Sequence, residues 1–227
     1  MKVQTKETQQ KLTPRKALEI LKAGNTRFVK NLKAQRDLLG QVNDTRDDQY
    51  PFATILSCID SRTSAELIFD QGLGDIFSVR IAGNIVNTDI IGSMEFACKI
   101  AGSKLIVVLG HSNCGAVNGA CDHLEMGNLT ELLSKLQPAV YQEIETKENR
   151  SSSNKKFVEN VATINVRRSA EQIIERSYIL EQMLEKGEIA VVGAMYNVKN
   201  GIVEFCKDVL YINDEQNPKF TLNDFRS

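Results

Sequence analysis

The sequence predicts an α/β fold: a mostly parallel β-sheet flanked by helices, with an antiparallel edge strand near the C-terminus and a helical arm at the N-terminus. Three observations carry this reading. Apolar runs at 52–57, 105–109 and 189–195 read as strands, and Leu105-Ile106-Val107-Val108-Leu109 lacks polar alternation, as a parallel strand buried on both faces does. Helical periodicities ended by glycine separate the runs, in the rhythm of a parallel sheet covered by helices. Asn200-Gly201, between Val198 and Ile202, is a two-residue hairpin signal that turns the chain back as an antiparallel edge strand through Phe205.

From the N-terminus, Thr13-Pro14 starts a helix: a hydroxyl cap with proline where its missing N–H costs nothing. Leu18 and Leu21 form one stripe, Gly24-Asn25 interrupts, and Phe28 and Leu32 continue a basic second segment, so 13–36 reads as the arm. Residues 38–50 read as a polar loop ending at Tyr50-Pro51, before the strand 52–57. Ser64 caps a helix through Leu67 and Ile68, closed by Gly72 in a left-handed position. A strand follows at 76–81, then the tight loop Ala82-Gly83-Asn84. Thr88 or Asp89 caps a helix through Ile91, Met94 and Ala97 that ends at Gly102. Beyond the strand 105–109, helical patterns occupy 115–117 and 129–144, disturbed by Pro138. Residues 145–156 read as a mobile loop, and Val166 to Leu184 as one helix stopped by Gly187.

No composition shift marks a boundary within the 227 residues, so residues 1–227 read as a single domain. With 42% hydrophobic and 25% charged residues the chain can bury a sizeable core. A net charge of −1 speaks against a nucleic-acid partner. Neither a secretory leader nor a membrane-spanning run is present, so no membrane partner and a cytoplasmic location are expected. Cys98, Cys121 and Cys206 form an odd remainder suited to a reducing compartment and read as small buried hydrophobes.

Two strands break into polar loops that carry sulfur. Ile55-Leu56-Ser57 leads into Cys58-Ile59-Asp60-Ser61-Arg62, and Leu109-Gly110 into His111-Ser112-Asn113-Cys114-Gly115. If the strands are parallel, their ends gather Cys58, His111 and Cys114. Two thiolates and an imidazole suit Zn²⁺, and three protein ligands leave a position for water, as catalytic sites do. Asp60 lies close enough to approach the metal, while Arg62 can pair with it and hold it back. Cys114, at a helix start, gains from the helix dipole as a thiolate. Gly72-Leu73-Gly74 completes no G-x-G-x-x-G at a strand-to-helix turn, so a dinucleotide loop is disfavoured.

The complete C-x-D-S-R and H-x-x-C motifs resemble those of the β-class carbonic anhydrases, with likeness over roughly residues 49 to 121. The resemblance implies about one Zn²⁺ per chain and reversible hydration of CO₂ to bicarbonate and a proton. Asp60 and Arg62 would be the catalytic pair, orienting a hydroxide formed from zinc-bound water. Two thiolates make that water less acidic than three imidazoles would, so activity should climb into alkaline pH. Gln49, Phe77, Ala82, Phe96 and Gly115 align with substrate-pocket positions; many members place a bicarbonate-binding glutamine where Gln49 stands, and often valine and tyrosine where Ala82 and Phe96 stand. The family further implies a homodimer or dimer of dimers, with the glutamine and aromatics facing the neighbouring subunit's metal. Part of the family has a regulatory bicarbonate pocket built on a tryptophan three residues before the first cysteine. Ile55 stands there and the chain has no tryptophan, so the Asp60–Arg62 pair should persist, and Arg80, the pocket's basic residue, is left to an ion pair or backbone contact. His123 reads as a helix-surface residue rather than a proton shuttle. Alternatives are hydrolysis of carbonyl sulfide or carbon disulfide, or a non-catalytic zinc module, which would have no use for Asp60 and Arg62.

Overall fold

In the computed structural model, which describes residues 3–217, five strands form one sheet. They are β1 (Ala53–Ser57), β2 (Ile76–Arg80), β3 (Leu105–His111), β4 (Ala190–Tyr196) and β5 (Val203–Ile212), in the spatial order β2-β1-β3-β4-β5. The first four are parallel and β5 runs antiparallel to β4. Every residue of β1 and β3 is buried, which accounts for their unbroken apolar sequence, whereas in edge strand β2 Ile76 is buried and the rest alternate between part-buried and exposed positions. From β1 the chain steps outward to β2, then crosses back over β1 to β3. The direction of winding therefore reverses between β1 and β3, and the crevice beyond their carboxyl ends is where such sheets bind ligands.

The helices are α1 (Lys6–Gln10), α2 (Pro14–Val29), α3 (Leu38–Asp44), α4 (Ala65–Ile68), α5 (Thr88–Glu95, continued by a π-helical turn Phe96–Ile100), α6 (Gly115–Cys121), α7 (Gly127–Ser134), α8 (Gln137–Gln142), α9 (Lys155–Glu175) and α10 (Tyr178–Glu185). Leu18 and Leu21 of α2 share one core with Ile55, Val107 and Val192, on one face of the sheet. Met94 of α5, Val166 and Ile173 of α9 and Leu180 of α10 pack with Leu56 and Val108 on the other. A third cluster, at the carboxyl edge, joins Cys58 and Cys114 to Val117 of α6, Leu136, and Phe157 and Val161 of α9.

Several local expectations are corrected. Gly24-Asn25 does not interrupt α2 but docks it: a Cβ at Gly24 would fall 1.8 Å from the carbonyl oxygen of Phe69. Asn25 donates to the carbonyls of Ile68 and Gly201 and accepts from the N–H of Val203. The stripe of this arm is thus buried in its own chain's core. Residues 38–44 are helical, capped by Asp37, whose carboxylate accepts from the N–H of Gly40. Ser64 precedes α4 without capping it, its hydroxyl turning to Glu66, and the left-handed residue after α4 is Asp70 (φ 45°), not Gly72. Asn87, rather than Thr88 or Asp89, caps α5. The single helix expected through Leu184 breaks at Ser177, which caps α10 by accepting from Leu180 N–H.

The turn before β5 is longer than a two-residue hairpin. It closes where Asn197 N–H donates to the carbonyl of Ile202 and Gly201 (φ 78°) to that of Asn197. β5 then runs to Ile212, past Phe205, with a register irregularity opposite Val192 and Ala194. The 145–156 loop is anchored: Arg150 donates to the carboxylate and carbonyl of buried Glu143 and to the carbonyls of Val140 and Thr146. Cys98 and Cys121 are buried, but Cys206, on the edge strand, is only half-buried.

Candidate metal centre and active site

β1 ends one residue before Cys58, β3 ends at His111, and Cys114 stands at the N-cap of α6. Because β1 and β3 pair in parallel, with Ser57 opposite Leu109, both loops leave the same edge of the sheet. The Sγ atoms of Cys58 and Cys114 and a ring nitrogen of His111 lie within 4.8 Å of one another, and the two sulfurs are 3.9 Å apart. All three side chains are buried.

His111 Nδ1 lies 3.0 Å from the carbonyl oxygen of Ser112, which assigns it the proton. Its Nε2 is then a lone-pair donor, buried and without a hydrogen-bond partner. A buried, partnerless imidazole nitrogen costs free energy unless something completes it. Beside two sulfurs that something is a soft or borderline cation, and the donor set fits zinc. The hydrogen bond from Cys114 and that from the N–H of Gly83 pull the Cys58 thiol well below its ordinary value against the effect of burial; the same sulfur contact and burial push Cys114 up.

Asp60 is gripped by Arg62. The backbone N–H and Nε of Arg62 each donate to Oδ1 at 2.9 Å, and Nη2 donates to Oδ2 at 2.7 Å. These hydrogen bonds hold the Asp60 carboxyl far below the usual carboxylate range despite partial burial. Arg80 makes a backbone contact: Nε donates to the carbonyl of Cys58 and Nη2 to that of Asp60. The Thr63 hydroxyl reaches the same two carbonyls, so the loop bearing ligand and acid is held from two sides.

The aligned pocket residues fall into two groups. Ala82 precedes Gly83, whose N–H donates to Cys58 Sγ, and Gly115 follows Cys114 with open space where a Cβ would stand. Both adjoin the metal cluster. Gln49, Phe77 and Phe96 line other clefts: Gln49 shares one with Phe96 and Leu73, and Phe77 and Phe96 share another with Arg80, Thr88 and Gly92; neither is lined by Cys58, His111 or Cys114. Phe77 and Phe96 meet edge to face, with centroids 6.4 Å apart, and Phe96 is half exposed. His123 is exposed just beyond α6 in a left-handed conformation.

Sequence reasoning passed over Tyr196. It pairs with His111 across β3 and β4, and its phenol, pushed up by burial, lies within electrostatic reach of Arg62 and Asp60. Its place at the end of the last parallel strand was the available signal. Asn165, which donates to the carbonyl of Gly83, carries no sequence signal beyond being a polar residue on a buried helix face.

An edge-of-sheet Cys-His-Cys cluster beside an arginine-held aspartate defines a metalloenzyme centre. Residues 53–203 match the protein family described as carbonic anhydrase. Carbonic anhydrase 2 of Mycobacterium tuberculosis is 34% identical over 197 residues, covering 83% of this chain and 90% of that protein. The carbonic anhydrase of Mycolicibacterium smegmatis is 34% identical over 198 residues, covering 84% and 92%. Among solved structures, a β-carbonic anhydrase of Aspergillus fumigatus superposes with a TM-score of 0.67 at 25% identity, covering 83% of this chain and 89% of that one. The chain belongs to the β-class carbonic anhydrases, a family of zinc lyases. Among the described residues, no helix is long and apolar enough to cross a membrane.

Proposed function

We propose that this chain catalyses the reversible hydration of CO₂ to bicarbonate and a proton, using about one zinc ion per chain held by Cys58 Sγ, His111 Nε2 and Cys114 Sγ. The observation that carries the reading is the convergence of these three atoms beside Asp60 and Arg62. Bound there, zinc would supply the Lewis acidity that makes hydroxide available from water near neutral pH.

The protein's own part is orientation. Asp60 Oδ1 accepts two hydrogen bonds from Arg62 and Oδ2 only one, which leaves Oδ2 with acceptor capacity toward the site. A carboxylate kept so firmly ionised accepts the proton-bearing side of the attacking oxygen and turns its lone pair toward the carbon of CO₂. It aims the nucleophile and does not deprotonate it. Ala82 and Gly115 leave room beside the metal for a small linear substrate, within apolar surroundings set by Ile85 and Val117.

Gln49, Phe77 and Phe96 enter this reading through a second copy of the chain, whose glutamine and aromatic pair would close the pocket over the metal. Their place in clefts that Cys58, His111 and Cys114 do not line and the half-exposed ring of Phe96 support this arrangement. The working form is then a homodimer or dimer of dimers, in the cytoplasm.

Stopped-flow CO₂ hydration on metal-replete protein tests the activity: hydration should vanish on chelation and return with zinc, and zinc-independent hydration would overturn the assignment. Dilution tests the shared pocket. Activity per zinc should fall as dimers dissociate, and a monomer with full activity would refute it.

A further inference from the structure

From the structure we infer that Asn165, assisted by Ser169, is a positioning residue for the metal centre, acting through the Ala82-Gly83-Asn84 turn on the sulfur of Cys58; this rests on the metal assignment above. Gly83 N–H donates to Cys58 Sγ at 3.4 Å. The carbonyl of the same residue accepts a hydrogen bond from Asn165 Nδ2 at 2.9 Å, and the carbonyl of Asn84 accepts one from the Ser169 hydroxyl at 3.2 Å. One helix therefore grips the turn at two successive carbonyls, and the turn delivers an N–H to a ligand sulfur.

The buried face of the helix is otherwise apolar here. α9 buries Val161, Ala162, Val166, Ala170, Ile173 and Ile174, and amid them Asn165 and Ser169 are only 4% and 3% exposed. They stand four residues apart, on one face. Burying an amide and a hydroxyl costs free energy unless each finds a partner, and both find it in this turn.

The turn needs the grip. Gly83 (φ 67°) and Asn84 (φ 42°) are consecutive left-handed residues, a conformation that persists only when its surroundings impose it. A Cβ at Gly83 would lie 2.9 Å from Leu136 Cδ1 and 3.3 Å from Ala116 Cβ, so the backbone is also wedged against α6 and the residue before α8. Asn165 fixes the peptide on the carbonyl side of Gly83; without that hold the residue can pivot about its Cα, and the N–H of its preceding peptide leaves the sulfur.

A hydrogen bond to a ligand thiolate steadies the lone pair that faces the metal and lowers the energy of the sulfur electrons. Removing it should loosen metal binding and move sulfur-to-metal charge transfer to lower energy. Neither effect follows from a loss of packing alone.

The test uses the full-length chain. Zinc affinity is measured by chelator competition, the sulfur-to-cobalt charge-transfer band after cobalt replacement, and the thermal midpoint alongside. Asn165→Leu keeps the volume and removes the donor; it should weaken zinc binding about tenfold or more and shift the band to lower energy. Ser169→Ala should move both in the same direction by less, and it carries the test if position 165 variants fail to fold. Ile173→Val, buried on the same helix without a polar contact, should lower the thermal midpoint and leave affinity and band in place. Affinity within about twofold of wild type and an unmoved band in Asn165→Leu or, should that variant not fold, in Ser169→Ala would overturn the inference. Absence of zinc from the wild-type protein would instead overturn the metal assignment.

Discussion

Two aspartates ten positions apart, Asp60 and Asp70, are both paired with arginine and both held below the usual carboxylate range, yet they serve different ends. Asp70 is 3% exposed and its oxygens are used up: Arg27 Nε donates to Oδ2 at 2.5 Å, Arg36 Nη1 to Oδ1 at 2.6 Å, and Ala34 N–H to both. Its partners come from α2 and the segment after it, so it ties the N-terminal region to the end of α4. Among the described residues Asp60 is paired only with Arg62, two residues away, and its Oδ2 accepts a single hydrogen bond from it. A saturated buried acid fixes structure. An acid gripped on one side and open on the other can act on a substrate.

The largest expected effect comes from removing a proposed metal ligand. Cys114→Ala should drop zinc content from about one per chain toward zero and CO₂ hydration to background, read by metal analysis and stopped-flow on one preparation. Undiminished zinc would refute the ligand set. Next is Asp70→Ala, which leaves Arg36, with a 7% exposed side chain, without that carboxylate. It should cost roughly 3–5 kcal/mol in denaturant unfolding while activity per bound zinc stays at the wild-type level. Equal loss of activity per zinc would erase the contrast between the two acids.

Asp60→Asn is the converse. It should lower CO₂ hydration by roughly 10²-fold with zinc retained and little change in unfolding. The smallest effect is in pH. Burial raises the Asp70 pKa, but the hydrogen bonds from Arg27, Arg36 and Ala34 outweigh it, so the folded value lies below the ordinary 3.8. The stability this contributes is complete above the unfolded value and is lost as pH falls through the folded one. The gap in thermal midpoint between wild type and Asp70→Asn should therefore be widest near neutrality and narrow below about pH 4. A gap constant into acid would mean that Asp70 is not charged in the folded protein.

The strand ends and the local acid were legible because each depends on residues close in sequence. β1 and β3 announce themselves by apolar runs, and Cys58, Asp60 and Arg62 lie within five residues, as His111 and Cys114 lie within four. The expectation for Arg80 followed from the lack of a tryptophan, and the structure shows it on backbone carbonyls. Misreadings arose where a local signal was outvoted. Gly24-Asn25 resembles a helix break but is an attachment point, because a glycine there allows contact with Phe69 and the asparagine completes backbone groups from β5. Gly72 looked like the left-handed residue, yet Asp70 takes that role, and Arg27 and Arg36, which grip its carboxylate, come from over thirty residues away.

The sequence by itself determined the class of fold, the three metal-binding candidates and the acid beside them, since each is written in periodicity or in short spacing that backbone geometry converts directly into proximity. Only the tertiary structure decided what holds them. The hydrogen bonds from Asn165 and Ser169 reach carbonyls more than eighty residues earlier, and Gln49, Phe77 and Phe96 line clefts to which Cys58, His111 and Cys114 contribute nothing. Such contacts are set by how α9 packs on the sheet beside the turn that follows β2, and buried polar groups find whichever partner that packing brings, a choice no local pattern encodes.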